Sequence, residues 1–142
     1  MAITQALCTS FKTDLFSGTQ DFNTGTTKVY KIALYTSSAT LDATTTAYTT
    51  SNEVVGTGYT ATGNTLTVSQ IPTSTGTTAF ISFADTTWLT STITARGALI
   101  YESTANKAVC VLDFGGDKTS TAGSFTIQFP AANSTSAIIR LA

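Results

Sequence analysis

The sequence contains no histidine. Any acid–base or nucleophilic chemistry of this chain would therefore use its acidic, serine, cysteine or lysine side chains. The absence of histidine excludes a Ser-His-acid triad, a Cys-His dyad and any histidine metal site within the chain. Neither an SxxK nor a GxSxG pattern occurs. A pair of carboxylic acids is what glycoside hydrolysis needs, but Asp42, Glu53 and Asp117 lie beside turn residues, where loop-capping or solvent-facing acids are typical. We therefore predict no catalytic residue and no cofactor.

Two further patterns bear on metal binding. Asp113 and Asp117 flank Gly115-Gly116 and offer oxygen ligands, but the twelve-residue EF-hand pattern is absent. Cys8 and Cys110 lie too far apart in the sequence for a zinc or CxxC motif. We interpret the acids as a polar loop and both cysteines as small buried apolar residues, and we predict no metal site.

Arg96 is a charged residue inside an apolar, strand-like segment. A guanidinium in such a place needs a carboxylate or carbonyl partner. Asp85 and Asp113 are the candidates. We favour a cross-strand ion pair near the rim of the fold over a bridge to a neighbouring subunit.

The composition favours an uncharged contact surface. Threonine fills 33 of 142 positions, and charged residues make up 11% of the chain, against about 25% in an ordinary soluble domain. The net charge is −1 and no basic run occurs, which argues against nucleic-acid binding. No apolar run has the length of a membrane helix, and the N-terminus lacks the features of a secretory signal. We expect synthesis in a cytoplasm and no membrane partner.

The elements that position these groups begin with a helix in residues 1–20. Thr4 is the predicted N-cap and Gly18 the predicted left-handed C-terminal residue. The apolar stripe of this helix packs either on its own β-core, which we favour, or on a neighbouring subunit. This possible interface segment consists of Ile3, Leu7, Phe11, Leu15 and Phe16.

Residues 21–142 show the alternation and turn spacing of seven to nine short strands. Loops are predicted at Pro72 to Thr77 and around Gly115-Gly116 and Ala122-Gly123, and a helical turn near Ala43 to Tyr48. The fold class is therefore all-β: one domain built as a two-sheet β-sandwich, with the jelly roll as the leading type, plus one short N-terminal helix. Threonines alternate with apolar residues along these strands, which places them on the outer face.

Several ordered segments together resemble a family of small virion structural proteins of tailed bacteriophages. They span most of the chain after the helix: KIALYTSSATLDATTTAYTTSNEV (31–54), GTGYTATG (56–63), FADTTW (83–88), TARGALIYES (94–103) and KAVCVLDFGGDKTSTAGSFTIQFP (107–130). The resemblance implies a non-enzymatic component of the particle, most like a capsid decoration or cement protein.

The resemblance also implies partners and a location. A decoration protein binds the major capsid protein lattice on the outer capsid surface of the virion, is made in the host bacterial cytoplasm, and associates with itself as a dimer or trimer. Head fibres and tail components are the alternatives within the family. A rival from another class is a carbohydrate-binding sandwich in which aromatic rings stack on sugars. Its candidate residues are Trp88, Tyr48, Tyr59 and Tyr101.

Overall fold

The computed structural model describes residues 2–142 and contains two antiparallel sheets and one short helix. Five strands pair in the order β1-β7-β6-β2-β3, and three pair in the order β4-β5-β8. The predicted all-β two-sheet sandwich is confirmed. The elements are β1 (Ala6–Leu7), α1 (Thr9–Ser17), β2 (Tyr30–Tyr35), β3 (Asn64–Thr65), β4 (Val68–Thr75), β5 (Thr78–Phe83), β6 (Thr86–Glu102), β7 (Lys107–Ile127) and β8 (Ile139–Leu141).

A long hairpin of β6 and β7 forms the centre of the five-stranded sheet. Its pairing runs from Glu102↔Lys107 next to the turn to Thr86↔Ile127 at the far end. The predicted turns at Gly115-Gly116 and Ala122-Gly123 are wrong, because both dipeptides lie inside β7 at register shifts. A glycine or left-handed residue can mark a bulge inside a strand as well as a turn; here Gly115 has φ 76° and Ala122 has φ 46°.

Aromatic side chains from both sheets fill the space between them. Phe22, in the segment before β2, stacks on Tyr30 of β2 with ring centroids 4.4 Å apart. Phe83 of β5 packs against Phe22 at 6.1 Å and against Phe129 at 5.8 Å. These rings join the five-stranded sheet to the three-stranded one, and burying each contributes on the order of 1.5–3 kcal/mol.

The N-terminal segment differs from the predicted twenty-residue helix. The helix α1 has nine residues and begins after Cys8, so Thr4 is not its N-cap. Instead, the Thr4 N–H donates to Leu41 O at 2.8 Å, and β1 pairs with β7. Residues 6–7 form a strand instead of a helical turn because pairing with β7 joins them to an existing sheet edge. The predicted end at Gly18 is confirmed, with φ 72°. Met1 lies outside the described residues.

Two other details of the prediction are also corrected. β4 continues through Pro72, where a loop was predicted; Pro72 is tolerated because β4 is an edge strand with a register shift between Gln70 and Thr73. The segment from Ala43 to Tyr48 contains no helical turn. Hairpins join β4 to β5 and β6 to β7 within the sheets of three and five strands, and the jelly-roll type of sandwich stays a prediction.

Candidate contact surface

The predicted ion pair forms between β6 and β7 with Asp113 as the partner. Arg96 Nε lies 3.4 Å from Asp113 Oδ1, and the two side chains are 37% and 29% exposed. The Gly115 N–H donates to the same oxygen, and this bond, aided by Arg96, lowers the pKa of Asp113. Asp85 is not part of this pair: it accepts the Phe129 N–H at 2.8 Å and so holds the segment that follows β7.

Four of the five residues in the predicted interface segment pack within the chain. Ile3 and Phe11 are buried, and Leu7 and Leu15 pack partly buried against the core. Phe16 is the exception, with 94% of its surface exposed. The Lys107 Nζ, 3.0 Å from Asp14 Oδ1, ties the same helix to β7. The segment therefore packs on the sandwich of its own chain, and of these five residues only Phe16 faces outward.

A buried carboxylate organises the aromatic residues that were candidates for sugar binding. Glu53 is 7% exposed. Its Oε2 accepts the Tyr48 hydroxyl at 2.6 Å, and its Oε1 accepts the Tyr59 hydroxyl at 2.6 Å and the Thr62 N–H at 2.8 Å. Tyr101 donates to Thr62 O at 2.7 Å. The sequence suggested a loop-capping or solvent-facing acid at Glu53; the structure shows a buried link between two loops and the sheet.

The rings of these aromatic residues pack on one another in two pairs. Tyr48 stacks on Tyr101 with centroids 4.9 Å apart, and Trp88, which is 4% exposed, packs on Tyr59 at 5.8 Å. Burial, followed by the hydrogen bond to Glu53, raises the pKa of both Tyr48 and Tyr59. Burial raises the pKa of Tyr101 to about 12. The four rings pack in two pairs, and Tyr48 and Tyr59 are only partly exposed, which is unlike the open aromatic platform that stacking on a sugar needs.

A second buried acid supports the turn between β6 and β7. Glu102 is fully buried and accepts the N–H groups of Thr104 and Ala105 at 2.9 and 3.0 Å, together with the Thr104 hydroxyl. Burial favours its neutral form, but these hydrogen bonds outweigh that effect and lower the pKa of Glu102. The sequence analysis did not single out Glu102. The sequence pattern that could have indicated this role is an acid two residues before a threonine in a short polar turn.

The outer surface of the β6–β7 hairpin presents an uncharged face rich in hydroxyl groups. Its two facing stretches, 86–95 and 119–127, contain no charged residue. Hydroxyls pair across the strands, with 2.9 Å between Thr87 and Thr126 and 3.1 Å between Thr94 and Thr119. We call this surface the threonine face; it consists of the exposed residues Thr87, Thr92, Thr94, Thr119 and Thr126.

The threonine face suits contact with another protein for a physical reason. Its hydroxyls are already paired with one another, so a partner that covers them removes little hydration and strips no ion of water. Leu89, 72% exposed, lies in the same stretch of β6 and adds apolar area. Single exposed apolar residues are ordinary on a protein surface, so the threonine pairs define this face.

A groove of about 580 Å³ runs along β7. Apolar side chains, among them Leu112, Phe114 and Ile138, form much of its lining, and Asp113 and Lys118 are its charged residues. β1 pairs with β7 only at Cys110 and Val111, so the part of β7 that lines the groove has β6 as its single strand neighbour. The groove therefore follows an open edge of the five-stranded sheet.

Residues 2–142 contain no group of three or more His, Cys, Asp or Glu side chains placed to hold a metal ion. No helix in the same range is long and apolar enough to cross a membrane. No family model, curated protein or solved structure matches this chain.

Proposed function

We propose that this chain is a non-enzymatic structural protein of a bacteriophage virion, a capsid decoration protein that binds and stabilises the major capsid protein lattice as a homo-oligomer. The observation that carries the proposal is the threonine face, an uncharged surface on the paired strands β6 and β7. It agrees with the resemblance of segments 31–54, 56–63, 83–88, 94–103 and 107–130 to small virion proteins.

The arrangement of acids and aromatic residues supports a structural role. Glu53 and Glu102 each accept several hydrogen bonds that close loops. The aromatic residues that a carbohydrate-binding sandwich would use are packed on one another. The function of the molecule then lies in its surface. Many copies on a lattice can act together through modest individual contacts, because multivalency multiplies weak affinities.

The test is binding of purified protein to mature capsids that lack it, followed by cryo-electron microscopy. We expect stoichiometric density on the outer capsid surface. The matched variant is Thr94→Lys with Thr119→Glu, which places opposite charges across the strands and so preserves the pairing. Because a partner would now have to desolvate two ions, we expect capsid affinity to fall by at least about tenfold while thermal stability stays unchanged.

The control carries the same charges on another threonine pair. Thr75→Lys with Thr78→Glu alters a cross-strand pair of the β4–β5 hairpin, and we expect it to bind capsids like the unaltered protein. Density confined to the tail would contradict the decoration role and favour the head-fibre or tail alternative. Equal binding by the Thr94/Thr119 variant would show that the threonine face is not the contact surface.

A further inference from the structure

Phe16 and its neighbour Lys12 form an exposed apolar and cationic face on α1. Phe16 is 94% exposed, although a phenylalanine normally buries about 150–250 Å². Lys12 lies one turn earlier, is also exposed, and takes part in no ion pair among residues 2–142. The helix ends at Gly18, so the last turn, which contains Phe16, carries the partial negative charge of a helix C-terminus.

The groove along β7 has features complementary to those of the helix face: an apolar lining, one acidic residue and one basic residue. Its volume of about 580 Å³ lies within the roughly 300–1,000 Å³ range of clefts that hold apolar groups. Asp113 lines the groove, and its Oδ1 is used by Arg96 and Gly115 while its Oδ2 has no partner among the described residues. Lys118 is the cation of the lining.

We propose that Phe16 of one copy of this chain inserts into the β7 groove of a second copy, with Lys12 facing Asp113 and the C-terminal turn of α1 facing Lys118. The proposal rests on the homo-oligomer of the proposed function and names the surface that forms it. A second copy is the occupant because the charges of the helix face and of the groove are complementary. Phe16 also remains exposed within its own chain.

The contact joins two different surfaces and is therefore heterologous, so an open assembly keeps one free helix face at one end and one free groove at the other until a ring closes. Insertion of one aromatic residue and its surroundings falls short of the roughly 1,000 Å² of a stable interface. We therefore expect weak association in solution. On a lattice, where copies are held side by side, the same contact gains from the high local concentration.

Sedimentation velocity of the purified full chain tests the proposal, over about 1 μM to about 1 mM protein. We expect the mass to rise with concentration from the 14.8 kDa monomer toward a dimer or closed ring. Phe16→Ser removes the inserted side chain. Ser124→Arg fills the groove from an exposed lining position. Each variant alone should remain monomeric over the whole range, with circular dichroism unchanged.

Mixing the two variants gives the decisive result. The Phe16→Ser chain keeps an intact groove and the Ser124→Arg chain keeps an intact helix face, so the mixture should regain one contact and form a dimer. Leu89→Ser, at another exposed apolar residue, is the control and should associate like the unaltered chain. A monomeric unaltered protein, normal association of Phe16→Ser, or no dimer on mixing would overturn the proposal.

Thr119 lines the groove as well as the threonine face, so the Phe16→Ser chain, which alters neither surface, separates these outcomes from those of the capsid experiment. Capsid decoration by the unaltered chain, together with normal self-association of the Phe16→Ser chain, would leave the decoration role intact and overturn the self-contact. Self-association without capsid binding would do the reverse.

Discussion

Glu53 joins separate loop segments, since one buried carboxylate accepts hydrogen bonds from Tyr48, Tyr59 and Thr62. In Glu53→Gln one oxygen becomes an NH₂ group, which cannot accept a hydrogen bond from a tyrosine hydroxyl. We expect a loss of about 1–3 kcal/mol in the free energy of unfolding, the cost of leaving a buried polar group unsatisfied. Urea unfolding measures it. Asp117→Asn, at an exposed acid, is the control and should lie within about 0.5 kcal/mol of the unaltered protein.

The tyrosines also predict how stability depends on alkaline pH. All five, Tyr30, Tyr35, Tyr48, Tyr59 and Tyr101, have a pKa raised above 10.0, with burial as the largest cause. The unfolded chain releases these protons near its ordinary pKa of about 10, whereas the folded chain retains them. Their contribution to stability is therefore fully present below pH 10 and is lost as the pH rises through the higher folded values.

We therefore expect phenolate absorbance to appear together with unfolding, in one cooperative step above pH 10, instead of as a gradual titration. Parallel recording of tyrosine absorbance and far-ultraviolet circular dichroism checks this. The urea-unfolded chain is the reference and should titrate near pH 10. Phenolate formation near pH 10 with the β-signal intact would show that the tyrosine hydroxyls are accessible in the folded protein.

At the scale of elements, close approach between β6, β7 and the N-terminal segment requires glycine at position 97. A Cβ there would lie 2.5 Å from Leu112 O and 2.9 Å from Ile3 Cγ2. Since a backbone oxygen cannot move aside cheaply, we expect Gly97→Ala to destabilise the fold by about 1–3 kcal/mol. Gly116→Ala is the matched control in β7, because nothing lies within 4 Å of its added Cβ. Thermal unfolding should show a loss for the first variant and none for the second; equal midpoints would contradict the role of Gly97.

Period-two alternation predicted the strands that are buried on one or both faces, such as β2 and β5, because side-chain alternation is local information. The same alternation placed Thr65, Thr67 and Thr126 on the outer face, and all three are exposed. The exact partners were not predictable, since they depend on register. The shift between Ala95 and Gly97 leaves the four residues 114–117 opposite Arg96. No local sequence pattern indicates this bulge, so none indicates that Arg96 pairs with Asp113 instead of Asp85.

Long-range assembly likewise decided the parts that the sequence could not predict. The periodicity of Leu7, Phe11 and Leu15 indicates a helix, yet Leu7 pairs with Cys110 across more than a hundred residues of chain. The burial of Glu53 depends on tyrosines from separate segments and on Thr62. For Leu7 the determining neighbour is remote in sequence. The partners of Glu53 lie nearby in the chain but in irregular loops, whose conformation no periodic pattern specifies.

At the scale of the whole molecule, the two cysteines report whether residues 1–20 and 21–142 unfold together. Cys8 lies at the start of α1 and Cys110 in β7; both are buried. Burial, followed by the charge of Asp42, raises the pKa of Cys8 to about 11, and burial also raises that of Cys110. Neither thiol can react until the structure opens, because the thiolate is the reactive form.

We expect a thiol-specific reagent to modify both cysteines at rates that agree within about threefold, because β1, the Asp14–Lys107 ion pair and Ile3 join the N-terminal segment to the sheet. The variants Cys8→Ala and Cys110→Ala leave one thiol each and allow the two rates to be measured separately. The unfolded chain in urea gives the intrinsic reactivity of each. A Cys8 rate more than about tenfold above that of Cys110, after this correction, would mean that the N-terminal segment opens while the sandwich stays folded. Such a segment would then be free to exchange between subunits, whereas equal rates restrict contacts between copies to surfaces that are exposed in the folded chain, Phe16 among them.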